Sequence, residues 1–537
     1  MTFVPGLSRL FLDYCAAAPS LRGFYPWLPS GDGLPPRPPV PANWPESHLT
    51  ELTRLLAEQN PSPSAQASLQ ALRQGAGTMV TGQQVGLFGG PLFTPFKAAT
   101  AIARARQSTA SGSPHVALFW LATEDHDFAE IDHVLFPARR ELRKLHYKAA
   151  PEAACPVGGV LLDDSISPLL DEAWELLGTS DAMDALVAAY QPGRTFAQAF
   201  ADFYSAAFAA QGLLVIDASS RAFHALGAPV LRAGIERADE LHDALVDRNR
   251  ALAAAGYHSQ VVVTAQSSLL FLIDSRSGAR VALKRFAPTA AEPAGHWQAG
   301  RQSWSTQDLL GILDAEPERI SPSALLRPVF QDYLLSTTAI IGGPAEIAYF
   351  SQSAVLYEKI LGRVTPSVAR FSATLIEPAV DELLNKHELT LERLFAPDLA
   401  RDHSARLAQL LAARALPVEG KRLLASAGNA LDADLAPLLD WMKAVDEGLG
   451  RSAQTSASKM RYQMNRLRNL AANFKLQQEA ALARQAETIA QSLFPGGTLQ
   501  ERVHGAAWWL ARYGFELNEQ LTAQAGQSIP GHAALRL

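Results

Sequence analysis

At 537 residues the chain exceeds what one hydrophobic core usually supports, so two or three structural units are expected. Hydrophobic residues make up 48% and charged residues 19%, which excludes a disordered chain, and 47 basic against 53 acidic side chains exclude a global field for capturing nucleic acid. Two cysteines, Cys15 and Cys155, exclude a disulfide framework and a multi-cysteine zinc site, and runs such as Val116 to Ala122 are too short to cross a bilayer. Met1 to Tyr14 carries Pro5, Arg9 and Asp13 and does not read as a signal peptide. The expectation is a soluble cytoplasmic protein with no membrane or nucleic-acid partner.

Along the chain, Pro26 to Pro45 reads as an extended wrap over a domain surface, with Trp27 and Trp44 near its ends. A helix follows from about Glu46 to Gln74, interrupted near Pro61 and Pro63. Ala76 to Thr81 is a short apolar run leading through a glycine-dotted loop into a helix over Thr94 to Gln107. His115 to Ala122 is a second buried-strand candidate and ends in Thr123-Glu124-Asp125-His126-Asp127. Gly212 to Ile216 ends in Asp217 before a helix over Phe223 to Ala233, and Thr337 to Ile341 ends in Gly342-Gly343-Pro344 before a helix over Ala345 to Ile360. Short apolar runs, each leading through a polar turn into a helix, predict an α/β fold with a parallel sheet covered on both faces. Ligands bind such sheets at the carboxyl ends of the strands.

Two stretches break this rhythm and read as insertions. One carries a hairpin-like piece and then helices; the other carries strand-like runs at Gln260 to Ala265 and Leu269 to Asp274. The expected division is a core in three parts (1–137, 205–235 and 325–376), insertions at 138–204 and 236–324, a helical arm (377–491) and a C-terminal segment (492–537) packing back on the core. In the arm, Leu438, Met442, Val445, Leu449, Ala453, Ser456, Met460, Leu467, Leu470 and Phe474 keep mostly to a 4-3 spacing. This predicts one coiled-coil seam on a helix roughly 80 Å long. Its partner would be the preceding helix around Leu383 to Arg414 or a second chain.

Three constellations carry candidate chemistry. Thr81, Gly82, Gln83, Gln84, Gly86, Gly89 and Gly90 could turn backbone amides toward an anion, although the spacing fits neither the dinucleotide nor the phosphate-loop pattern and a tight structural turn reads the same way. Lys97 reads as a phosphate contact or, preferably, a solvated helix lysine. Glu124, Asp125, His126, Asp127, Glu130, Asp132 and His133 could ligate a metal, act as acid or base, or bind an amine, with a helix cap at Asp125 or Asp127 as the plainer role. Gly342, Gly343, Glu346 and Tyr349 form a second anion-ready helix start, and Arg370 after a further strand could meet a carboxylate or phosphate. Asp217, at its strand end, joins the binding set.

These stretches, TGQQVGLFGGPLFTPFKA from Thr81, FWLATEDHDFAEIDHV from Phe119 and RPVFQDYLLSTTAIIGGPAEIAYF from Arg327, resemble the cysteine-adding enzymes of bacillithiol biosynthesis. LLVIDAS from Leu213, RVTPSVARFSATLIEP from Arg363 and ERVHGAAWWLARYG from Glu501 fit too, so the resemblance covers nearly the whole chain. It implies a Rossmann-like core similar to class I aminoacyl-tRNA synthetases, two connecting insertions and a coiled-coil domain used for homodimerisation. The implied activity is a cysteine ligase, forming an amide bond between the carboxylate of cysteine and the amine of glucosaminyl malate. A carboxylate is a poor acyl donor at neutral pH, so ATP is the expected cofactor, activating cysteine as an adenylate or an acyl phosphate; a divalent metal stays open. Glu124, Asp125, His126 and Asp127 are then the catalytic candidates. The chain departs from the synthetases in the first strand-to-helix turn, where Thr81 to Gly90 replaces a HIGH signature. Two other readings compete: a metal-dependent hydrolase or transferase centred on Glu124 to His133, and a non-catalytic dimeric nucleotide-binding scaffold.

Overall fold

The computed structural model describes all residues except 1–3, 5, 30–32, 39–43, 139–140, 152–153, 287–295, 400–401 and 528–530. Parts of the proline-rich wrap therefore lie outside the described residues. At its end Trp44 stacks on His48 and donates from Nε1 to the Tyr333 carbonyl.

Among the described residues the central sheet has five strands: β1 (Gly77–Gln83), β2 (His115–Leu121), β3 (Leu214–Ile216), β4 (Thr337–Gly342) and β5 (Ser367–Ala369). All pair in parallel, in the order β5-β4-β1-β2-β3. The strands form here because their apolar runs alternate between two buried faces. Met79, Phe119, Leu121, Val215 and Ile341 face a core shared with helix α1 (Phe93–Ala110). Val80, Leu118, Trp120, Leu214 and Ile216 face the other, shared with α2 (Arg221–Glu236) and α3 (Arg327–Leu335). The order reverses between β1 and β4, so the loops leaving those two strands diverge and open a crevice at their carboxyl ends. Helix α4 (Pro344–Leu361) starts on that edge.

The structure departs from expectation in three places. β2 leads into no helix: a 3-10 turn, Phe128–Glu130, is followed by an antiparallel hairpin of His133–Pro137 and Leu142–His146. The expected boundary at 137/138 thus falls inside one hairpin. Gln260 to Ala265 contains no strand; the second insertion's sheet instead orders Ile320–Pro322, Ser267–Ile273, Arg280–Phe286, His296–Ala299 and Gln302–Trp304, all antiparallel.

The third departure is the arm. The seam does not run on one helix, because Asp446 turns the chain between α5 (Val418–Val445) and α6 (Glu447–Gln478). Asp446 has an extended backbone and its side chain caps Leu449 N at 2.9 Å, which starts α6 afresh. The two helices are antiparallel, with Arg461 on Asp432 at 2.7 Å. Each half of the seam thus lies on its own helix, and α6 is about 48 Å long at 1.5 Å per residue. Helix His403–Arg414 also packs on the arm's base with Ala480–Leu493. Beyond it, Glu516–Gln527 lies along α1, where Arg106 meets Glu519 at 2.6 Å, and Ala533–Arg536 pairs in parallel with Ala373–Ile376. No described helix is long and apolar enough to cross a membrane.

Candidate active-site edge

At the switch point a cleft of about 460 Å³ opens between the ends of β1 and β4. Its wall is built around Lys97, which is 3% exposed and far from the solvated lysine that its helical position suggests. Helix α1 runs under the loop leaving β1, so Lys97 Nζ reaches the Gly82 carbonyl at 2.7 Å, Gln83 Oε1 at 3.0 Å and Glu346 Oε2 at 2.5 Å. Burial pulls its ammonium below the ordinary lysine value, against the opposing pull of Glu346. Glu346 also accepts from Gly343 N at 2.8 Å, as the capping residue of α4. One carboxylate therefore ties both strand-end turns together.

Two arginines deepen the cleft in different ways. Arg370 is held by Glu501 through two bonds, at 2.5 and 3.0 Å, with both side chains at most 3% exposed. Burial opposes the Glu501 charge, yet Arg370 keeps its carboxyl below the usual range. Arg370 thus meets a carboxylate of its own chain and forms the back wall. Arg327 donates instead to neutral groups, Gln331 Oε1 and the Tyr349 hydroxyl, each at 3.1 Å. Burial pushes the Tyr349 hydroxyl up to about 12, so it stays protonated. Arg502 lines the same cleft.

Ala122, Asp125, Ala324 and Arg327 also line an adjoining recess of about 240 Å³ over the end of β2, with Glu124, His126, Ser219, Phe271 and Arg280. Asp125 accepts from Gln84 Nε2 at 2.7 Å and from the His126 amide at 2.7 Å. Gln84 holds Glu130 as well, at 2.6 Å. Glu124 points inward to His224, 3.1 Å away. Burial works against both charges, but each partner favours the other's, so Glu124 is held low and His224 high. His126 Nδ1 faces Arg280 at 3.2 Å.

Thus Gln83, Gln84, Gly82, Gly343, Glu346, Tyr349, Arg370, Glu124, Asp125 and His126 lie along one edge of the sheet. Other candidates turn away from it. Thr81 is buried and donates to the Ile341 carbonyl at 3.1 Å, binding β1 to β4. Gly342 allows α4 to approach, since a Cβ there would stand 2.9 Å from both Glu346 Cβ and Phe350. Gly89 and Gly90 fold into the apolar layer beneath the loop: the Tyr190 hydroxyl accepts from Gly89 N, and the Gly90 amide is taken by the Leu87 carbonyl. Their amides are therefore spent within the protein and cradle no anion. Asp217 accepts from Thr123 Oγ1 at 2.6 Å and shapes the turn after β2. Asp127 is exposed and lines neither cavity, and its side chain caps nothing. His133 pairs with Asp132, which also holds His146, on the hairpin.

Sequence reasoning missed Arg280, His224 and Glu501, which reach the edge from the second insertion, from α2 and from the C-terminal segment. No local spacing connects them to the strand-end motifs. The Glu124–His133 cluster also divides: Glu124 turns to His224, Asp125 and Glu130 share Gln84, and Asp132 pairs with His133 and His146. Among the described residues no group of three or more His, Cys, Asp or Glu is arranged to hold a metal ion.

The fold agrees with comparisons to known proteins. The N-terminal Rossmann-like domain of the bacillithiol biosynthesis BshC family matches residues 3–370, and its C-terminal coiled-coil domain matches residues 373–537. A protein of Koribacter versatilis is 40% identical over 99% of this chain and 98% of its own length. Relatives from Solibacter usitatus (32%; 96% of this chain and 94% of theirs) and Salinibacter ruber (31%; 95% and 93%) are also similar. All three carry the name "Putative cysteine ligase BshC". Matched end to end in both domains, the chain belongs to the BshC family of bacillithiol biosynthesis.

Proposed function

We propose that the chain is a cytoplasmic cysteine ligase that joins the carboxylate of cysteine to the amine of glucosaminyl malate, with ATP activating the cysteine. The observation that carries this reading is the pair of adjoining cavities on one sheet edge, both lined by Arg327 and Asp125, the larger one adding Lys97, Arg370 and Arg502 and the smaller one Glu124, His126 and Arg280. The donor set of the larger cleft fits a nucleotide's phosphates. Arg327 hydrogen-bonds only to neutral groups, Arg502 lines the same cleft, and the first turn of α4 adds the positive end of a helix dipole. ATP, when bound, supplies the good leaving group that a free carboxylate lacks.

The chain's own residues orient the reactants. Arg327 lines both cavities and so stands between an anion in the cleft and a carboxylate in the recess. Asp125 faces both cavities as well, fixed by Gln84, and is placed to hold an ammonium or an incoming amine. The ends of β1, β2 and β4 hold these groups on a rigid sheet, which supplies proximity and orientation. The relatives' printed name supports the same reading. The exposed apolar residues of the arm support a homodimer, since the hairpin leaves Leu438, Trp441, Leu467, Leu470 and Phe474 each at least 45% exposed.

Purified protein with ATP, cysteine and glucosaminyl malate tests the reading by mass spectrometry. The expected result is the amide-linked thiol with ATP consumed, and at least 100-fold slower turnover in Arg327→Met, on the scale of losing one charged contact to the transition state. Product formed equally without nucleotide would remove ATP from the scheme. No product under any condition would favour the scaffold reading.

A further inference from the structure

We propose that Arg280 is a positioning residue that fixes the tautomer of His126, so that His126 serves as a hydrogen-bond donor to the reacting acyl oxygen and not as the base that deprotonates the amine. This rests on the ligase reading for its chemistry, but the tautomer itself follows from the geometry.

Arg280 is brought to the recess by the second insertion. The residue is 9% exposed and held at each of its three guanidinium nitrogens: Nε donates to Ser321 Oγ at 3.0 Å, one terminal nitrogen to the Pro322 carbonyl at 2.9 Å, and the other lies 3.2 Å from His126 Nδ1. The guanidinium stacks over the Phe271 ring at 3.7 Å. Its backbone amide donates to the Ala154 carbonyl at 2.9 Å, which pins its strand to the first insertion. A group anchored in this way cannot swing aside to suit its neighbour.

A guanidinium has donors and no acceptor. His126 Nδ1 must therefore present a lone pair to Arg280, and the ring's proton sits on Nε2. Two other groups face the imidazole. Asp125 Oδ1 is 3.6 Å from Nδ1, farther than Arg280, and already accepts the His126 amide at 2.7 Å. Phe271 packs against the ring with centroids 5.9 Å apart and offers no competing polar atom. With Nδ1 committed, a base would need its lone pair on Nε2, where the proton is.

The consequence for ligation is specific. As the amine nitrogen bonds to the acyl carbon, the carbonyl π pair moves onto oxygen, and Nε2–H stabilises that charge without transferring its proton. The leaving group then departs with its bonding pair as the carbonyl reforms. The amine's proton goes to another acceptor, for which Asp125, facing both cavities, is the carboxylate at hand. A preorganised donor of this kind is worth about 10²- to 10³-fold in turnover.

Two measurements on the full chain test this. The first is nitrogen-15 NMR of labelled histidine, with the His126 signal identified by its loss in His126→Gln. The expected pattern is a protonated Nε2 and an unprotonated Nδ1, becoming a tautomer mixture in Arg280→Met while circular dichroism stays unchanged. A protonated Nδ1 in the unsubstituted protein would overturn the proposal. The second compares turnover of His126→Gln with His126→Leu. An amide can donate but cannot take a proton, so Gln is expected within about tenfold of the unsubstituted enzyme and Leu 10²- to 10³-fold below it. Equal loss in both variants would restore the base role and overturn the proposal. If the unsubstituted protein forms no product, the ligase reading fails by itself, and the NMR pattern still decides the tautomer.

Discussion

Gly89 and Gly343 stand in two turns that look alike in sequence, yet they are constrained by different things. Gly89 has φ +82° and a Cβ there would sit 2.6 Å from the Phe203 ring. Gly343 has φ −77°, and its added Cβ would meet only Arg370 Nε at 3.4 Å and Glu346 at 3.5 Å, beside the cleft. Gly89→Ala is therefore expected to lower unfolding stability by about 2 kcal/mol or more, from positive-φ strain and overpacking. Gly343→Ala should change stability by less than about 1 kcal/mol while weakening nucleotide binding, measured by denaturant unfolding and by calorimetric titration. Lys97 teaches a related lesson. Its helical position says nothing of exposure, and only the approach of Gly82 and Glu346 shows it to be a buried tie between two turns.

At the scale of elements, the segment His504 to Ala506 laces the site's support together. Its backbone bonds Leu92, Leu135 and Gly90, which come from the first strand-to-helix loop and the hairpin. His504 is 1% exposed, its Nε2 lies 2.9 Å from the Gln491 carbonyl, and burial lowers its imidazole from 6.5 to about 4. The folded protein thus binds this proton less readily than the unfolded chain between those values. Its stabilising share is complete above about pH 6.5, falls as pH drops through that window, and is lost below about pH 4. The full swing is about 3 kcal/mol. His48, His115, His403 and His532 are lowered by burial too and act with the same sign. His504→Gln should lose less stability than the unsubstituted protein between pH 7 and pH 4.5, by about 2 kcal/mol, in urea unfolding followed at both pH values.

For the whole molecule, the strand pair Ala373–Ile376 and Ala533–Arg536 adjoins the site, since Glu501 accepts from Arg370, Ser372 and the Ala373 amide. The arm hairpin buries little of its own apolar surface: of α5 and α6, only Leu435, Ala457 and Ala472 are buried among the described residues. A second copy laid along it would cover the remainder. Trp441→Glu combined with Leu467→Glu is expected to halve the mass seen by light scattering and leave helix content unchanged, because both side chains are already exposed in the single chain. A mass of one chain before substitution would remove the proposed homodimer, and an unchanged two-chain mass would place its contact elsewhere.

The family was legible in the sequence by itself, in whole motifs and not in periodicity, whereas the strand expected at Gln260 to Ala265 was not formed. Four strands of the central sheet and their parallel pairing were legible too, because short apolar runs ending in polar turns are local signals with one physical solution. Gln83, Glu346 and His126 could be named for the same reason. The tertiary structure alone decided which way each side chain faces. Gly89 and Gly90 proved to be packing residues, Arg370 was claimed by Glu501, the seam folded back at Asp446, and Arg280 arrived from an insertion to hold His126. Those outcomes depend on contacts between residues far apart in the chain, and such contacts leave no periodicity or spacing to read.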